Sequence, residues 1–346
     1  MVDRLRLVSG VLAGAFLLAA QSASAQIATS PVDGPTISAG GGIQFLWLPD
    51  IKFTGIGKPN NFRFQTNSDF TEYGPAVDGK VEAPLGFWGG YRVTGAVKGF
   101  WSTMDETDTV GCANKCVVVD PANTLVATGQ PLITSTNRDV DYWGAQLEAK
   151  FWSPNQVQVR PRLMRTNYFM VGADVRGIDQ DSDLFGSSKG HAIFKYNEKL
   201  DTTYYGGYIG IGGEYSLGFL GAGGIWEALG LRSYFEARAG LYDAQTDYSG
   251  AFAYKFVPVN SRLSLSNDEL AFIGVLSFET RKQFSPRTSL SLWTDYEFIS
   301  SVPEMSYSKG NRPTRIDDDW GYGSRTMLRL NIGLGPAPLY PAGPAY

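Results

Sequence analysis

The chain has 346 residues, with 30 Lys and Arg against 34 Asp and Glu, a formal net charge of −4, and a single histidine. So mild an acidic excess gives no electrostatic footing for nucleic-acid binding. Glycine (41) and the aromatics Phe (20), Tyr (18) and Trp (8) are abundant while cysteine (2) is nearly absent, a mixture suited to membrane strands that carry aromatics at the interfaces and glycine where a lumen is crowded.

The first 25 residues read as an export signal. Arg4 and Arg6 precede an apolar run from Leu7 to Ala20, and Ala23 and Ala25 supply an A-x-A cleavage site. The run is short for a transmembrane anchor, and no cysteine follows it, which argues against a lipoprotein. The expected division is therefore a cleaved signal peptide, 1–25, and one domain, 26–346. Beyond Ala25 no stretch reaches the 18 or so apolar residues that a spanning helix needs. The exported chain is then either soluble or a barrel.

Ten segments have strand character: about 36–48, 72–84, 86–103, 139–152, 157–176, 201–218, 230–246, 268–283, 287–299 and 319–335. Their connections alternate in length. "PLG" near 84–86, "SPNQ" at 153–156 and "SPR" at 285–287 are tight, 219–230 is intermediate, and 49–71, 104–138, 177–200, 247–267 and 300–318 are long. A soluble sandwich has no reason to do this. A transmembrane barrel does, with short periplasmic turns and long outer loops. An even strand count places both termini on the periplasmic side.

Within the segments the faces alternate with period two. From Asp141 to Leu163, Trp143, Ala145, Leu147, Ala149 and Phe151 oppose Gln146, Glu148 and Lys150; Val157, Val159 and Leu163 then oppose Gln158, Arg160 and Arg162. The same split sets Phe87, Tyr91, Val93, Val97 and Trp101 against Arg92, Thr94 and Lys98. It sets Tyr205, Ile209 and Ile211 against Tyr204, Tyr208 and Glu214, and Leu328, Leu330 and Ile332 against Arg329 and Asn331. Aromatics flank the apolar sets, as girdles at two interfaces would. The segment 268–283 is the least regular, since Ile273 and Val275 oppose Leu270, Phe272, Leu276 and Phe278. The expected fold is an all-β antiparallel transmembrane barrel of about ten strands, eight to twelve by this reading, with lipid outside and a polar interior.

The whole exported chain resembles a Gram-negative outer-membrane β-barrel. More narrowly, "VGADVRGIDQDSDLFG" (171–186) and "YYGGYIGIGGEYSLG" (204–218) are similar in style to the major-outer-membrane-protein family described in Legionella. That resemblance implies a pore-forming barrel in the outer membrane, with lipid, lipopolysaccharide and the assembly machinery as partners. One departure is the end of the chain. Such barrels finish on an aromatic strand residue, whereas "PAPLYPAGPAY" breaks the last strand with prolines before Tyr346.

The registers aim a set of charges inward: Lys80, Arg92, Lys98, Lys150, Arg160, Arg162, Arg176, Arg232, Arg238, Arg281, Arg325 and Arg329, against Asp78, Glu82, Glu148, Asp174, Glu214, Glu236, Glu279, Asp295 and Glu297. These residues either pair into a network that plugs the barrel or line a narrow, weakly anion-preferring channel. Cys112 and Cys116 in "GCANKC" are expected to pair as a local clip. No cofactor or metal is expected, because one His and two Cys lack ligand spacing. The acidic runs "DQDSD" (179–183) and "DDD" (317–319) lack a glycine-centred calcium frame. His191, with Ser187 and Ser188 beside it in sequence, is no evidence of a catalytic constellation, so no enzyme is expected. The leading expectation is a passive channel for small hydrophilic solutes or ions, with no bar to a homo-oligomer. The alternative is a plugged structural or adhesive barrel that presents its outer loops.

Overall fold

The computed structural model describes residues 34–335, apart from 59–60, 66–70, 114–115, 120–124, 128–130, 154–156, 159–163, 216–228, 230, 255–258, 286 and 308–313. The export segment 1–25, Arg160, Arg162 and the tail to Tyr346 lie outside the described residues.

Fifteen strands are described: β1 (Thr36–Trp47), β2 (Thr54–Lys58), β3 (Asn61–Gln65), β4 (Thr71–Trp88), β5 (Tyr91–Cys112), β6 (Cys116–Val119), β7 (Leu125–Ala127), β8 (Leu132–Trp152), β9 (Val157–Gln158), β10 (Met164–Ser188), β11 (His191–Tyr215), β12 (Leu231–Tyr254), β13 (Val259–Ser285), β14 (Thr288–Ser306) and β15 (Arg315–Gly333). Ten of them, β1, β4, β5, β8 and β10 to β15, pair in chain order into an antiparallel ring. It closes where β15 pairs with β1, from Thr36 opposite Gly333 to Trp47 opposite Tyr322. Closure leaves no sheet edge, which is what a membrane demands of strands. β2, β3, β6 and β7 form a separate small sheet at one end.

The outer wall between two aromatic belts is apolar. Leu147 is 62% exposed on it while its neighbour Glu148, turned inward, is 2% exposed. Ile209, Ile211, Leu241, Leu276, Leu328 and Leu330 continue the outer surface. One belt holds Trp47, Tyr73, Trp101, Tyr205, Trp320 and Tyr322, with Trp47 edge-on to Trp320 at 5.4 Å. The other holds Phe87, Trp88, Tyr91, Phe151 and Phe169, with the last two rings stacked at 4.5 Å. The second belt is periplasmic, since the chain enters the barrel there at β1 and turns tightly there between β4 and β5.

Four expected connections are placed differently by the structure. The first tight turn is not at 84–86 but at Gly89 and Gly90, whose φ of 56° and 85° are the positive values a two-residue hairpin turn needs; Pro84 to Gly86 is a bulge within the ladder, and Phe87 belongs to β4. "SPNQ" lies, from 154 on, outside the described residues; β8 ends at Trp152 and β10 begins at Met164, with Val157 and Gln158 paired to its first two residues. The stretch 177–200 is not a loop, because β10 and β11 run through it to a hairpin tip at Lys189 and Gly190, φ 49° and 79°. His191 is therefore the first residue of a strand. The stretches 247–267 and 300–318 likewise are mostly strand. "DQDSD" sits on β10, not on a loop: alternation puts Asp179, Asp181 and Asp183 on the outer face, beside Asp141 and Asp139 of β8, and turns Gln180 and Ser182 inward.

These extensions obey the same alternation with its chemistry reversed. Below the extracellular belt β10 turns Val171 outward and Asp174 and Arg176 inward. Above it, Asp179, Asp181 and Asp183 face out while Ile178 and Leu184 are fully buried inside. On β8, Asp139 faces out where Val140 and Tyr142 face in. Parity is kept across the belt, and solvent replaces lipid outside the wall. The barrel thus becomes a soluble-type β-structure with an apolar core.

Candidate functional site

Inside the ring the lumen divides into three levels. The lowest is a charged vestibule of about 860 Å³ at the periplasmic end. Its walls come from the periplasmic ends of β1, β4, β5, β8, β12, β13, β14 and β15, with Glu214 of β11 and Tyr168 of β10. Inward parity delivers the side chains, and oppositely charged ones meet along one strand, across neighbouring strands and across the lumen. Lys98 Nζ lies 2.9 Å from Glu148, and Lys150 Nζ lies 2.9 Å from Glu236 and 3.3 Å from Glu148. Arg329 Nε donates to Asp78 at 2.6 Å, Arg281 Nη2 to Glu279 at 2.8 Å, and Arg325 Nη2 to Asp295 at 2.8 Å. Arg238 Nη1 donates to the neutral Gln146 at 2.7 Å. Arg232 and Glu214, 3.8 Å apart, sit at the rim. Arg92 lies 5.7 Å over the ring of Trp152. Glycine makes room: a Cβ at Gly172 would lie 2.4 Å from the Tyr208 ring, and one at Gly212 would meet Tyr168 at the same distance.

Exposure of the charged side chains falls with depth. Arg232 is 52% exposed, Lys98 22%, Arg325 6% and Arg176 0%. Arg176 and Asp174 form the second level rather than joining the vestibule. Arg176 Nε donates to Asp174 at 3.0 Å, Nη1 donates to Tyr142 Oη at 3.0 Å, and the guanidinium also pairs with Glu297. Tyr142 donates to Glu297, and Tyr242 donates to Asp174 at 3.0 Å. The knot draws on β8, β10, β12 and β14, so it ties four walls of the lumen together. Directly above it Leu46, Leu48, Met104, Ile178, Tyr204, Ile273, Val275, Ile299 and Val302 pack into an apolar layer. The irregular parity of Ile273 and Val275 is explained by this layer, since both point into it.

The third level is the extracellular cap. Arg138, on Glu72 at 3.3 Å, on the Pro49 carbonyl at 3.3 Å and on Gln180, forms its floor. Glu198 accepts from Tyr196 at 2.9 Å and from Tyr307. Above the belt and outside the membrane span, burial pushes this carboxyl above its ordinary range, against the lowering effect of the tyrosine hydrogen bonds and of Arg138. Phe53, in the connection between β1 and β2, is wholly buried. It stacks on Tyr196 at 4.3 Å and meets Tyr307 edge-on at 5.4 Å. Around them pack Ile51, Val117, Val118, Leu184, Ile193, Phe194, Tyr248 and Phe252. The Cys112–Cys116 disulfide (Cα–Cα 5.9 Å) is buried in the same core, so the clip fixes part of the cap.

Sequence parity aimed Arg92, Lys98, Glu148, Lys150, Glu236, Arg238 and Arg329 at one lumen; all but Glu148 line the vestibule, and Glu148 is buried behind its wall against Lys98 and Lys150. Parity gave no hint of Glu72, Arg138, Glu198 or Phe53. The usable signal for these was the period-two apolar pattern that persists through 178–200 and 242–252. Among the described residues no group of His, Cys, Asp and Glu is arranged to hold a metal, and His191 is exposed at the hairpin tip.

No family model and no curated protein sequence matches this chain. Solved structures do. The outer membrane protease OmpT from Escherichia coli aligns over 90% of this chain and 100% of its own, at 9% identity and a TM-score of 0.48. The translocator domain of the autotransporter NalP from Neisseria meningitidis aligns over 95% and 97%, at 9% identity and a TM-score of 0.39. The toluene transporter TodX from Pseudomonas putida aligns over 87% and 89%, at 8% identity and a TM-score of 0.33. The chain is an all-β, ten-stranded antiparallel closed barrel, and these likenesses are of fold alone. The narrower resemblance to the Legionella-type family gains no support from these comparisons.

Proposed function

We propose that this protein is a closed outer-membrane barrel whose lumen ends blindly above a periplasmic vestibule, and whose extended strands present a capped, soluble-type surface to the outside. One observation carries the reading: Arg176, Tyr142, Tyr204 and Leu46, drawn from four strands, are each at most 2% exposed. Side chains packed across the lumen at these levels are what supports a closed passage over an open one. This is the plugged alternative of the sequence reading, in which paired lumen charges stiffen the wall. The barrel is non-catalytic in this account, and its partners are membrane lipid, lipopolysaccharide and whatever meets the cap.

A second reading, a gated conduit for small hydrophilic solutes or ions, is favoured by the origin of part of the seal. Leu48, Ile51 and Phe53 belong to the β1–β2 connection and not to the barrel wall, so displacing that connection removes several sealing side chains at once. Planar-bilayer conductance separates the readings. The closed barrel predicts that the intact protein inserts silently, and that Phe53→Ala stays silent because the knot and apolar layer still close the lumen. Steps in the intact protein, with ion selectivity altered by Arg238→Gln, establish the conduit. Steps only in Phe53→Ala establish the gate.

A further inference from the structure

The vestibule has more built into it than a plug needs. Its deepest cation, Arg325, is 6% exposed and gives only Nη2 and the backbone N–H to Asp295. Nε and Nη1 of the same guanidinium have no hydrogen-bond partner among the described residues and lie beneath the chamber wall, shut off from water. Burying such donors unpaired costs free energy, and Arg325 lines the cavity. Its guanidinium carbon lies 3.8 Å from the Phe100 ring centre and 5.1 Å from that of Trp293. Arg329 lies 3.6 Å over Trp293, and Arg281 lies 4.8 Å over Tyr234. Guanidinium groups and flat rings therefore alternate around one water-accessible chamber. At about 860 Å³ the chamber falls in the size range of organic-ligand pockets.

We propose that the vestibule is a binding site for a small organic anion entering from the periplasmic side, with a carboxylate on an aromatic ring. The carboxylate is held by Arg325, whose side chain turns its two unpaired donors out from the wall as the anion binds, and planar bidentate acceptors suit guanidinium. The ring lies among Phe100, Trp293 and Tyr234, where it completes offset or edge contacts. Inorganic phosphate satisfies the first half of the site and not the second. Neutral aromatics satisfy the second and not the first. The inference does not depend on whether the barrel conducts, because the site lies below the seal.

The test uses the full barrel in detergent micelles, titrated with benzoate, benzamide and inorganic phosphate and followed by calorimetry and tryptophan fluorescence. Saturable benzoate binding is expected, at least about tenfold tighter than benzamide or phosphate. Arg325→Gln should weaken benzoate by about tenfold and leave benzamide unchanged. Because that change also strips Asp295 of its partner, the double variant Arg325→Gln, Asp295→Asn supplies a neutral counterpart, with folding checked by heat-modifiable migration. Trp293→Leu should weaken benzoate and keep the charge preference. Lys199→Gln, on the extracellular outer face, should change nothing. Equal binding of benzoate and benzamide, phosphate competing as strongly as benzoate, no saturable benzoate binding, or benzoate affinity untouched in the folded double variant would each overturn the proposal.

Discussion

The two ends of this barrel share one strand geometry and differ in almost everything else. In the periplasmic half, inward residues are Lys, Arg, Asp and Glu around a wet chamber, and outward residues are Leu, Ile and aromatics. In the extracellular half, inward residues are Leu, Ile, Phe and Tyr with few charges, and Asp139 and Asp181 face out. Alternation is a property of the strand, but what each face bears is set by the medium outside the wall. Lipid forces the polar set inward, where only mutual pairing makes it tolerable. Water lets the apolar set take the interior, and the lumen then closes by ordinary core packing.

The largest effect is expected at the boundary between the halves. Arg176→Met leaves Asp174 and Glu297 buried without their cation, which should cost about 3–5 kcal/mol and block assembly. Arg232→Gln, in an exposed rim pair, should change stability by less than about 1 kcal/mol. Urea midpoints of the folded barrel compare the two, and equal loss would mean that the knot is no more buried than the rim.

The next comparison uses one face of one strand. Leu147→Arg places a charge against lipid and should cost about 2–4 kcal/mol. Asp139→Arg, outward on the same strand above the belt, should be neutral or slightly stabilising, because Asp139 lies opposite Asp105 and Asp181 in the ladder. Heat-modifiable migration reads both, and failure of Asp139→Arg to assemble would move the lipid boundary upward.

These two positions also mark how far the sequence could be read. Ring, strand number, lumen parity and the disulfide pair were legible because lipid enforces a strict apolar outer face and because two cysteines so near each other, in a chain read as exported, have few other fates. The cap was not legible. Above Trp143 the apolar residues change face, so 177–200 and 247–267 looked like polar loops although Ile178, Leu184, Ile193, Tyr248 and Phe252 keep period two. Phe53 and Glu72 meet their partners only through long-range folding, which local spacing does not encode.

Smaller effects should be confined to the cap. Reducing Cys112–Cys116 releases a ring with only four residues of separation, and the loss should be about 2 kcal/mol or less. It should be seen as faster proteolysis in 104–138 with the barrel intact, and a loss of the whole fold would show that the clip is global. Glu198 should make the cap pH-dependent. Its carboxyl is raised in the folded state, so its contribution is fully present below the ordinary value of 4.5 and is lost as pH rises through the folded value. Cap proteolysis should therefore speed up from mildly acidic toward alkaline pH in the native protein and become flat in Glu198→Gln. An opposite slope would mean that the tyrosine hydrogen bonds outweigh burial.

The most direct test of a blind lumen compares two inward positions on β5. Lys98 reaches the vestibule and is 22% exposed, whereas Ser102, about 13 Å further up the strand, is fully buried and donates to the Tyr142 carbonyl. Single cysteines are placed by Lys98→Cys or Ser102→Cys in the folded barrel, with the native disulfide oxidised, and challenged with a charged methanethiosulfonate reagent. The account predicts rapid labelling of the first and labelling of the second only after unfolding. Comparable rates at both positions would mean that water and solute pass the level of the Arg176 knot, and the lumen is not closed.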